Sequence, residues 1–187
     1  MIKRQASTLG NVRPTTGKIL ESIRSTLMEY WPEARVLDLF AGTGSLGKAA
    51  LEEGAREAVF IEGHSKVAGQ IKPGPQGMVI TGRLPLALAK LQGTFDIILA
   101  DPPYGAPEGP VCLAQLGPYL AAEGRVVFEH HHKENYPDNV AGLSLWKRRR
   151  FGETALSYYQ HRQGGGDMPS MGQDAITGQD EPSPEAT

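Results

Sequence analysis

Apolar residues recur along this chain with two periods, and segments of the two kinds alternate. Ile19, Ile23 and Leu27 fall four positions apart, which predicts an amphipathic helix that continues toward Pro32. Five apolar runs, rich in Val, Ile, Leu and Phe, come next and predict buried strands. These strands span residues 35–40, 58–61, 78–80, 94–100 and 125–129.

Segments of helical character separate these strands, over residues 46–53, 64–71, 84–91 and 110–120. Strands and helices that alternate in this way predict a parallel sheet covered by helices on both faces. Two further strands, over 143–151 and 154–160, flank Gly152-Glu153, which suits a hairpin turn. We therefore expect an α/β fold with a doubly wound, mostly parallel sheet of seven strands that ends in an antiparallel hairpin.

Composition divides the 187 residues into three parts. Residues 1–12 form a polar, basic N-terminal arm, and residues 13–162 hold every predicted element and form one domain. Residues 163–187 lack aromatic side chains and contain five of the 21 acidic residues but none of the 19 basic ones. We expect this acidic tail to be disordered, which leaves a mildly basic domain that permits a nucleic-acid partner.

Cysteine content and hydropathy indicate the compartment. A single cysteine, Cys112, excludes an internal disulfide framework and suits a reducing environment. No apolar run approaches the length of a membrane span, and the N-terminus lacks the apolar core of a signal peptide. The expected location is the cytoplasm, with no membrane partner.

The tetrapeptide Asp101-Pro102-Pro103-Tyr104 directly follows the predicted strand 94–100. Its two prolines fix the backbone and offer no N–H, so the segment is stiff and rich in acceptors. Open α/β sheets bind ligands just past the carboxyl ends of their strands. A fixed acceptor pair beside an aromatic face suits a flat, amino-bearing ring, although a loop that merely ends a strand is the simpler alternative.

A glycine-rich turn follows the first predicted strand. Gly42-Thr43-Gly44-Ser45-Leu46-Gly47 satisfies G-x-G-x-x-G, and Glu62 lies 20 residues after Gly42. This is the spacing at which an acidic side chain accepts hydrogen bonds from the ribose hydroxyls of an adenosine-containing cofactor. Asp38, near the end of the strand, would repel a pyrophosphate but attract an ammonium group. S-adenosylmethionine fits these features, because it has an ammonium, a sulfonium and a ribose but no phosphate. The alternative is that the glycine-rich segment is a tight turn that binds no ligand.

Together these motifs resemble the class I S-adenosylmethionine-dependent methyltransferases that modify exocyclic amino groups. The chain is more closely similar to the bacterial family that methylates N2 of a guanine in 16S ribosomal RNA. Further points of likeness, over residues 10–161, are Arg13-Pro14-Thr15-Thr16, Leu46-Gly47 with Glu53-Gly54-Ala55, Phe128-Glu129-His130 and the terminal hairpin.

The resemblance implies S-adenosylmethionine as cofactor and ribosomal RNA or the small ribosomal subunit as partner, with a monomer expected. Its implied catalytic residues are Asp101, Pro102, Pro103 and Tyr104. The implied cofactor-binding residues are Asp38, Phe40, Ala41, Gly42, Thr43, Gly44, Glu62, Gly82 and Arg83. Arg83 is a departure, because the family commonly has an acid near the adenine at this place.

Basic residues in two regions are candidates for contacts with RNA phosphates. They are Arg13, Lys18, Lys147 and Arg149. Alternate residues of a strand share a face, so two of the four residues 147–150 can follow one phosphate track. A solvent-exposed helix face is the alternative for Arg13 and Lys18, and a solvated edge strand protected by its charges is the alternative for residues 147–150.

His130-His131-His132 suggests a metal site only superficially. Adjacent residues on an extended segment point to opposite sides, so the three rings cannot converge. We expect no metal and interpret these residues as polar histidines at the rim of the substrate site.

Other functions remain compatible with parts of the pattern. The tetrapeptide would also serve an adenine-N6 methylase or a protein glutamine methylase. The glycine pattern alone allows an NAD-dependent oxidoreductase. Arg83 allows a non-catalytic RNA-binding relative that has lost its cofactor.

Overall fold

The computed structural model describes residues 14–162, with side chains from residue 17 onward. The predicted N-terminal arm, the acidic tail and Arg13 therefore lie outside the described residues. One sheet of eight strands organises the domain, in the order β3-β2-β1-β4-β5-β8-β7-β6. The strands are β1 Arg35–Leu39, β2 Glu57–Glu62, β3 Gly77–Thr81, β4 Phe95–Ala100, β5 Leu120–His131, β6 Asn139–Val140, β7 Leu143–Phe151 and β8 Thr154–His161.

The expected doubly wound arrangement is confirmed. The first five strands are parallel, β8 pairs antiparallel with β5, and β7 pairs antiparallel with β8. The two-residue strand β6 pairs with β7 and adds an eighth strand to the seven expected. The hairpin turns at Gly152, whose φ of 62° favours glycine.

Within residues 14–162, four α-helices cover the sheet, with two short 3-10 segments at Leu86–Lys90 and Gly117–Tyr119. The helices are α1 Pro14–Thr26, α2 Ser45–Glu52, α3 Ser65–Ala68 and α4 Glu108–Leu113. Three of the predicted helices are thus shorter than expected. Gly69, a poor helix former, follows α3. After α4 the backbone tightens into turns, in which the N–H groups of Gln115 and Leu116 donate to the carbonyls three residues earlier.

The first helix packs as its pattern predicts but ends earlier. Ile19, Ile23 and Leu27 are buried. The helix ends at Thr26 rather than near Pro32, because the buried Trp31 folds back and its indole N–H donates to the Arg24 carbonyl at 3.1 Å. This contact satisfies one of the carbonyls that a helix leaves free at its C-terminus.

The two faces of the sheet carry different layers. Apolar residues of α1 and α2 pack on one face with Val36, Leu99 and Val127. The other face packs against α4 and the 3-10 segments. Within residues 14–162, no helix is both long and apolar enough to span a bilayer.

Strand register positions the candidate site. Leu39 pairs with Ile61 and with Ala100, and Ala100 pairs with Phe128. The residues that follow these paired positions therefore lie in one row across the sheet, toward the carboxyl ends of its parallel strands. Those residues are Phe40, Glu62, Asp101 and Glu129.

Candidate active site

The glycine-rich turn between β1 and α2 depends on unusual backbone angles. Phe40, Gly42 and Gly44 have φ values of 56°, 54° and 74°. Gly47 has a different role, since a Cβ there would lie 2.4 Å from Cε1 of Phe60. The first two glycines allow the turn, and the third allows α2 to pack closely on β2.

Asp38 supports this turn from beneath. The side chain is 1% exposed, and its Oδ2 accepts the Gly47 N–H at 2.8 Å. Burial raises the pKa of Asp38 to about 8, and the nearby carboxylates of Asp101 and Glu62 add to the rise. The structure thus places Asp38 behind the turn, and its predicted contact with an ammonium group stays a prediction.

Glu62 joins the ends of β1 and β2. Its Oε2 accepts the Gly42 N–H at 2.8 Å, and its Oε1 accepts the His64 N–H at 2.7 Å. Each carboxylate oxygen has more than one acceptor position, so both can accept a further hydrogen bond. Glu62 is therefore fixed in orientation and still able to bind hydroxyl groups.

A cavity of about 590 Å³ opens beside this turn, and we call it the glycine-loop cavity. Four of the predicted cofactor residues line it, namely Phe40, Gly42, Glu62 and Arg83. The wall also includes His64, Val67, Leu84, Asp101, Pro103 and Glu108. Ala41 and Gly44 are buried, Thr43 is exposed outside the cavity wall, and the Gly82 N–H donates to the Glu62 carbonyl at 3.0 Å.

This cavity fits an adenosyl cofactor in its chemistry. Apolar side chains of Phe40, Val67 and Leu84 offer a place for a flat ring. The Glu62 carboxylate offers acceptors for ribose hydroxyls, and Gly42 allows close approach of the ligand to the backbone. Arg83 adds a cation to the wall in place of the expected acid.

The Asp101-Pro102-Pro103-Tyr104 segment is held by two contacts at its end. The Tyr104 hydroxyl forms a hydrogen bond of 2.7 Å with Oγ1 of Thr154. Glu134 accepts the backbone N–H groups of Gly105 and His131, which links the segment to the end of β5. The Tyr104 side chain remains 49% exposed, so it is positioned and accessible.

A second cavity, of about 630 Å³, lies on the other side of this segment, and we call it the tyrosine cavity. All four predicted catalytic residues line it, together with Ile19, Glu129, Phe151, Gly152, Glu153 and Thr154. Asp101 and Pro103 also line the glycine-loop cavity. The two cavities therefore meet at Asp101, where a group could pass from one ligand to another.

Glu129 is a functional candidate that the sequence prediction did not include. It lies next to Asp101 because β4 and β5 are parallel and Ala100 pairs with Phe128. Burial raises the pKa of both carboxyl groups, and Asp101 raises that of Glu129 further. The signal was present in Phe128-Glu129-His130, but only the register shows that the two carboxylates share a cavity.

The basic run of β7 divides between the two faces of the sheet. Lys147 and Arg149 line a cavity beside α1 with Tyr30 and Trp146. Arg148 is on the opposite face and donates to Ser157 Oγ and the Tyr136 carbonyl, at 2.9 and 2.8 Å. The structure therefore brings the two predicted RNA-binding residues of this strand together. Lys18 is exposed next to Ile19 of the tyrosine cavity.

The three histidines have separate surroundings, and His130 is buried within β5 and not at the rim of the substrate site as predicted. His130 Nε2 lies 2.9 Å from Ser157 Oγ, whereas the His131 ring packs edge-on against Tyr104. His132 Nδ1 lies 3.1 Å from the Glu153 carbonyl. Among residues 14–162, no group of three or more potential ligands could hold a metal ion.

Comparisons with known proteins agree with this geometry. The family described as Conserved hypothetical protein 95 matches residues 3–160. YlbH of Bacillus subtilis (strain 168) is 30% identical over 164 residues, covering 81% of this chain and 89% of YlbH. Ribosomal RNA small subunit methyltransferase D of Escherichia coli (strain K12) is 29% identical over 163 residues, covering 82% of each chain.

Two solved structures share the architecture. The structure of yhhF from Escherichia coli is 28% identical, with a TM-score of 0.69 and coverage of 81% of this chain and 89% of that chain. Magnesium protoporphyrin IX methyltransferase from Synechocystis PCC 6803, solved with bound S-adenosylmethionine, is 17% identical with a TM-score of 0.60, covering 82% and 86%. The latter likeness concerns the fold alone, which is that of a class I methyltransferase. The resemblance drawn from the motifs is confirmed: the chain belongs to the family described as Conserved hypothetical protein 95 and is a relative of ribosomal RNA small subunit methyltransferase D.

Proposed function

We propose that this protein transfers a methyl group from S-adenosylmethionine to the exocyclic amino group N2 of a guanine in small-subunit ribosomal RNA. The observation that carries the proposal is that Asp101 lines both cavities. One cavity has the features of an adenosyl site and the other has an accessible tyrosine. The name of the Escherichia coli relative, a small-subunit ribosomal RNA methyltransferase, supports RNA as the substrate.

The glycine-loop cavity holds the cofactor in this proposal. When bound, S-adenosylmethionine would supply an electrophilic methyl carbon attached to a sulfonium sulfur. The sulfur would keep the electron pair of the broken C–S bond and leave as a thioether. Glu62 accepts hydrogen bonds from the ribose hydroxyls, and Phe40 and Leu84 contact the adenine. Asp38 orients the methionine end by fixing Gly47 at the start of α2.

The tyrosine cavity receives the target base, which must leave its stack to reach it. Tyr104 stacks on the base, and the Asp101 carboxylate and Pro102 carbonyl accept hydrogen bonds from its amino group. These contacts direct the nitrogen lone pair toward the methyl carbon and stabilise the positive charge that develops on nitrogen. The new N–C bond leaves an acidic N–H, whose proton passes to Asp101 or to water, so no strong base is needed.

Lys147 and Arg149 hold RNA phosphates close to this cavity. Arg149 pairs with Leu156, which in turn pairs with Glu129, so Arg149 and Glu129 share a row and a face of the sheet. Adjacent strands lie about 4.8 Å apart, which places the two Cα atoms about 10 Å from each other. Lys18 extends the basic surface on the α1 side, and Arg13 belongs to the same proposal.

Asp101→Ala tests the role of the shared wall. We expect methyl transfer to be abolished while the affinity for S-adenosylmethionine, measured by calorimetry, stays within a few-fold of wild type. Normal methyl transfer by Asp101→Ala would show that the tetrapeptide lacks the proposed role. Calorimetry of the wild-type protein with S-adenosylmethionine and with NAD tests the alternative functions. Binding of NAD alone would favour an oxidoreductase, and binding of neither cofactor would favour the non-catalytic relative that Arg83 allows.

A further inference from the structure

The tyrosine cavity contains two carboxylates whose acceptors are unused by the protein. Within residues 17–162, neither Asp101 nor Glu129 has a side-chain hydrogen bond or ion pair. Both line the cavity, whose wall contains no Lys or Arg. Asp101 is exposed and Glu129 is half-buried, so the acceptors of both face the cavity and are open to a ligand that presents donors to both positions.

The two carboxylates are fixed relative to each other by the sheet. They follow Ala100 and Phe128, which are paired in adjacent parallel strands, and their side chains emerge on the same face. Glu129 is therefore held within β5 and Asp101 directly follows β4, so the register of two adjacent strands sets the spacing of the two carboxylates.

We propose that Glu129 determines specificity for guanine, by accepting the N1–H of the base while Asp101 accepts a hydrogen from its N2 amino group. This inference rests on the proposed function and names the residue that selects its substrate. Guanine presents adjacent N1–H and N2–H donors on its Watson–Crick edge. Adenine and cytosine present a ring nitrogen acceptor beside the amino group, which would face the Glu129 carboxylate unfavourably.

This preference belongs to the ionised state of Glu129, because a protonated carboxyl group can also donate its O–H to a ring-nitrogen acceptor. Burial raises the pKa of both carboxyl groups, and Asp101 raises that of Glu129 further, so a proton on one of them is readily accommodated. A protonated carboxyl group keeps a carbonyl oxygen that accepts a hydrogen bond. An N1–H donor is thus matched by Glu129 in either state, whereas a ring-nitrogen acceptor is disfavoured only by the ionised state.

A substrate pair that differs at N1 and at O6 tests the inference, and a variant of Glu129 then isolates the contribution of N1. RNA is prepared with guanine or with 2-aminopurine at the position mapped by labelled methyl transfer. 2-Aminopurine keeps the N2 amino group but has an acceptor at N1. We expect wild type to prefer guanine by about 100-fold or more in kcat/KM, because a site built to bind a donor rejects an analogue that lacks it.

Glu129→Gln replaces one acceptor by an amide N–H₂, which can donate to N1 of 2-aminopurine. We expect the preference for guanine to fall at least about tenfold. Glu153→Gln, a matched change in the same cavity, should keep the wild-type preference. Unchanged affinity for S-adenosylmethionine in Glu129→Gln verifies that the protein is folded.

Two outcomes would overturn the role of Glu129. One is equal use of guanine and 2-aminopurine by wild type, which needs no variant. The other is an unchanged preference in Glu129→Gln that still methylates guanine. If wild type methylates no guanine at all, the proposed function itself fails, and the two failures are thus distinguished.

Discussion

Tyr104 and Thr154 are joined by a hydrogen bond of 2.7 Å between their hydroxyl oxygens. This contact ties the segment after β4 to the first residue of β8, so the hairpin orients the ring that is proposed to stack on the base. The hydroxyl of Tyr104 positions the ring, whereas the ring itself makes the proposed contact with substrate.

Tyr104→Phe and Thr154→Val each remove this hydrogen bond and leave the aromatic ring. We expect each to lower kcat/KM for methyl transfer by about 3–10-fold, the loss of one ordinary hydrogen bond. Tyr104→Ala also removes stacking and should lose about 100-fold. Steady-state kinetics with RNA distinguishes the two effects; equal activity of Tyr104→Ala and Tyr104→Phe would exclude stacking by this ring.

Gly47→Ala and Gly17→Ala should change stability in opposite directions. A Cβ at position 47 would lie 2.4 Å from the Phe60 ring, so α2 must shift and we expect a loss of about 1–3 kcal/mol. Gly17 lies within α1 and has nothing within 4 Å of the added atom. Alanine there should stabilise by about 0.5–1 kcal/mol. Urea denaturation measures both, and a neutral Gly47→Ala would contradict the close packing of α2 on β2.

The buried Asp38 makes stability depend on pH. Burial raises its pKa from an ordinary 3.8 to about 8, so the folded protein keeps a proton that the unfolded chain releases between these values. The free energy of unfolding should therefore fall as pH rises from about 4 to about 8. Asp101 and Glu129 contribute with the same sign, because their pKa values are also raised.

Asp38→Asn should make this dependence shallower while its amide oxygen still accepts the Gly47 N–H. Denaturation at a series of pH values measures the slope. An identical slope in wild type and Asp38→Asn would show that Asp38 is ionised throughout this range in the folded protein.

Lys147→Ala with Arg149→Ala should weaken RNA binding and reduce its dependence on salt. Losing two phosphate contacts lowers the slope of log K against log salt by about 1.4–1.8. Arg150→Ala is the matched control, since this residue alternates with Arg149 and lies on the opposite face. If the double variant keeps the wild-type slope, the run is a solvated edge and not a phosphate track.

Much of the fold follows from local pattern. Strand β7 has the predicted bounds, and the Gly152 turn lies where its glycine indicated. The helix predicted over 84–91 is instead a five-residue 3-10 segment, because apolar spacing does not distinguish such short elements from an α-helix. Strand β5 begins at Leu120, five residues before the predicted start, since pairing with Phe95 extends it.

The site was only partly predictable, because a motif identifies functional residues but not the residues that contact them in the folded protein. Glu62 and Gly42 were identified from spacing, yet the hydrogen bond between them required the register of β1 and β2. Asp38 has the position expected from the sequence, but only the packing of α2 shows that it lies behind the turn. Glu129 became a candidate only when β4 and β5 were aligned.

Labelled methyl transfer tests the central claim most directly. Small ribosomal subunits and their naked RNA, from a strain that lacks this protein, are incubated with the protein and S-adenosylmethionine labelled on the methyl group. The RNA is then digested and the labelled nucleoside is identified and mapped. The account predicts label in N2-methylguanosine at one position of the small-subunit RNA; label in N6-methyladenosine or in protein, or no transfer to either substrate, would contradict it.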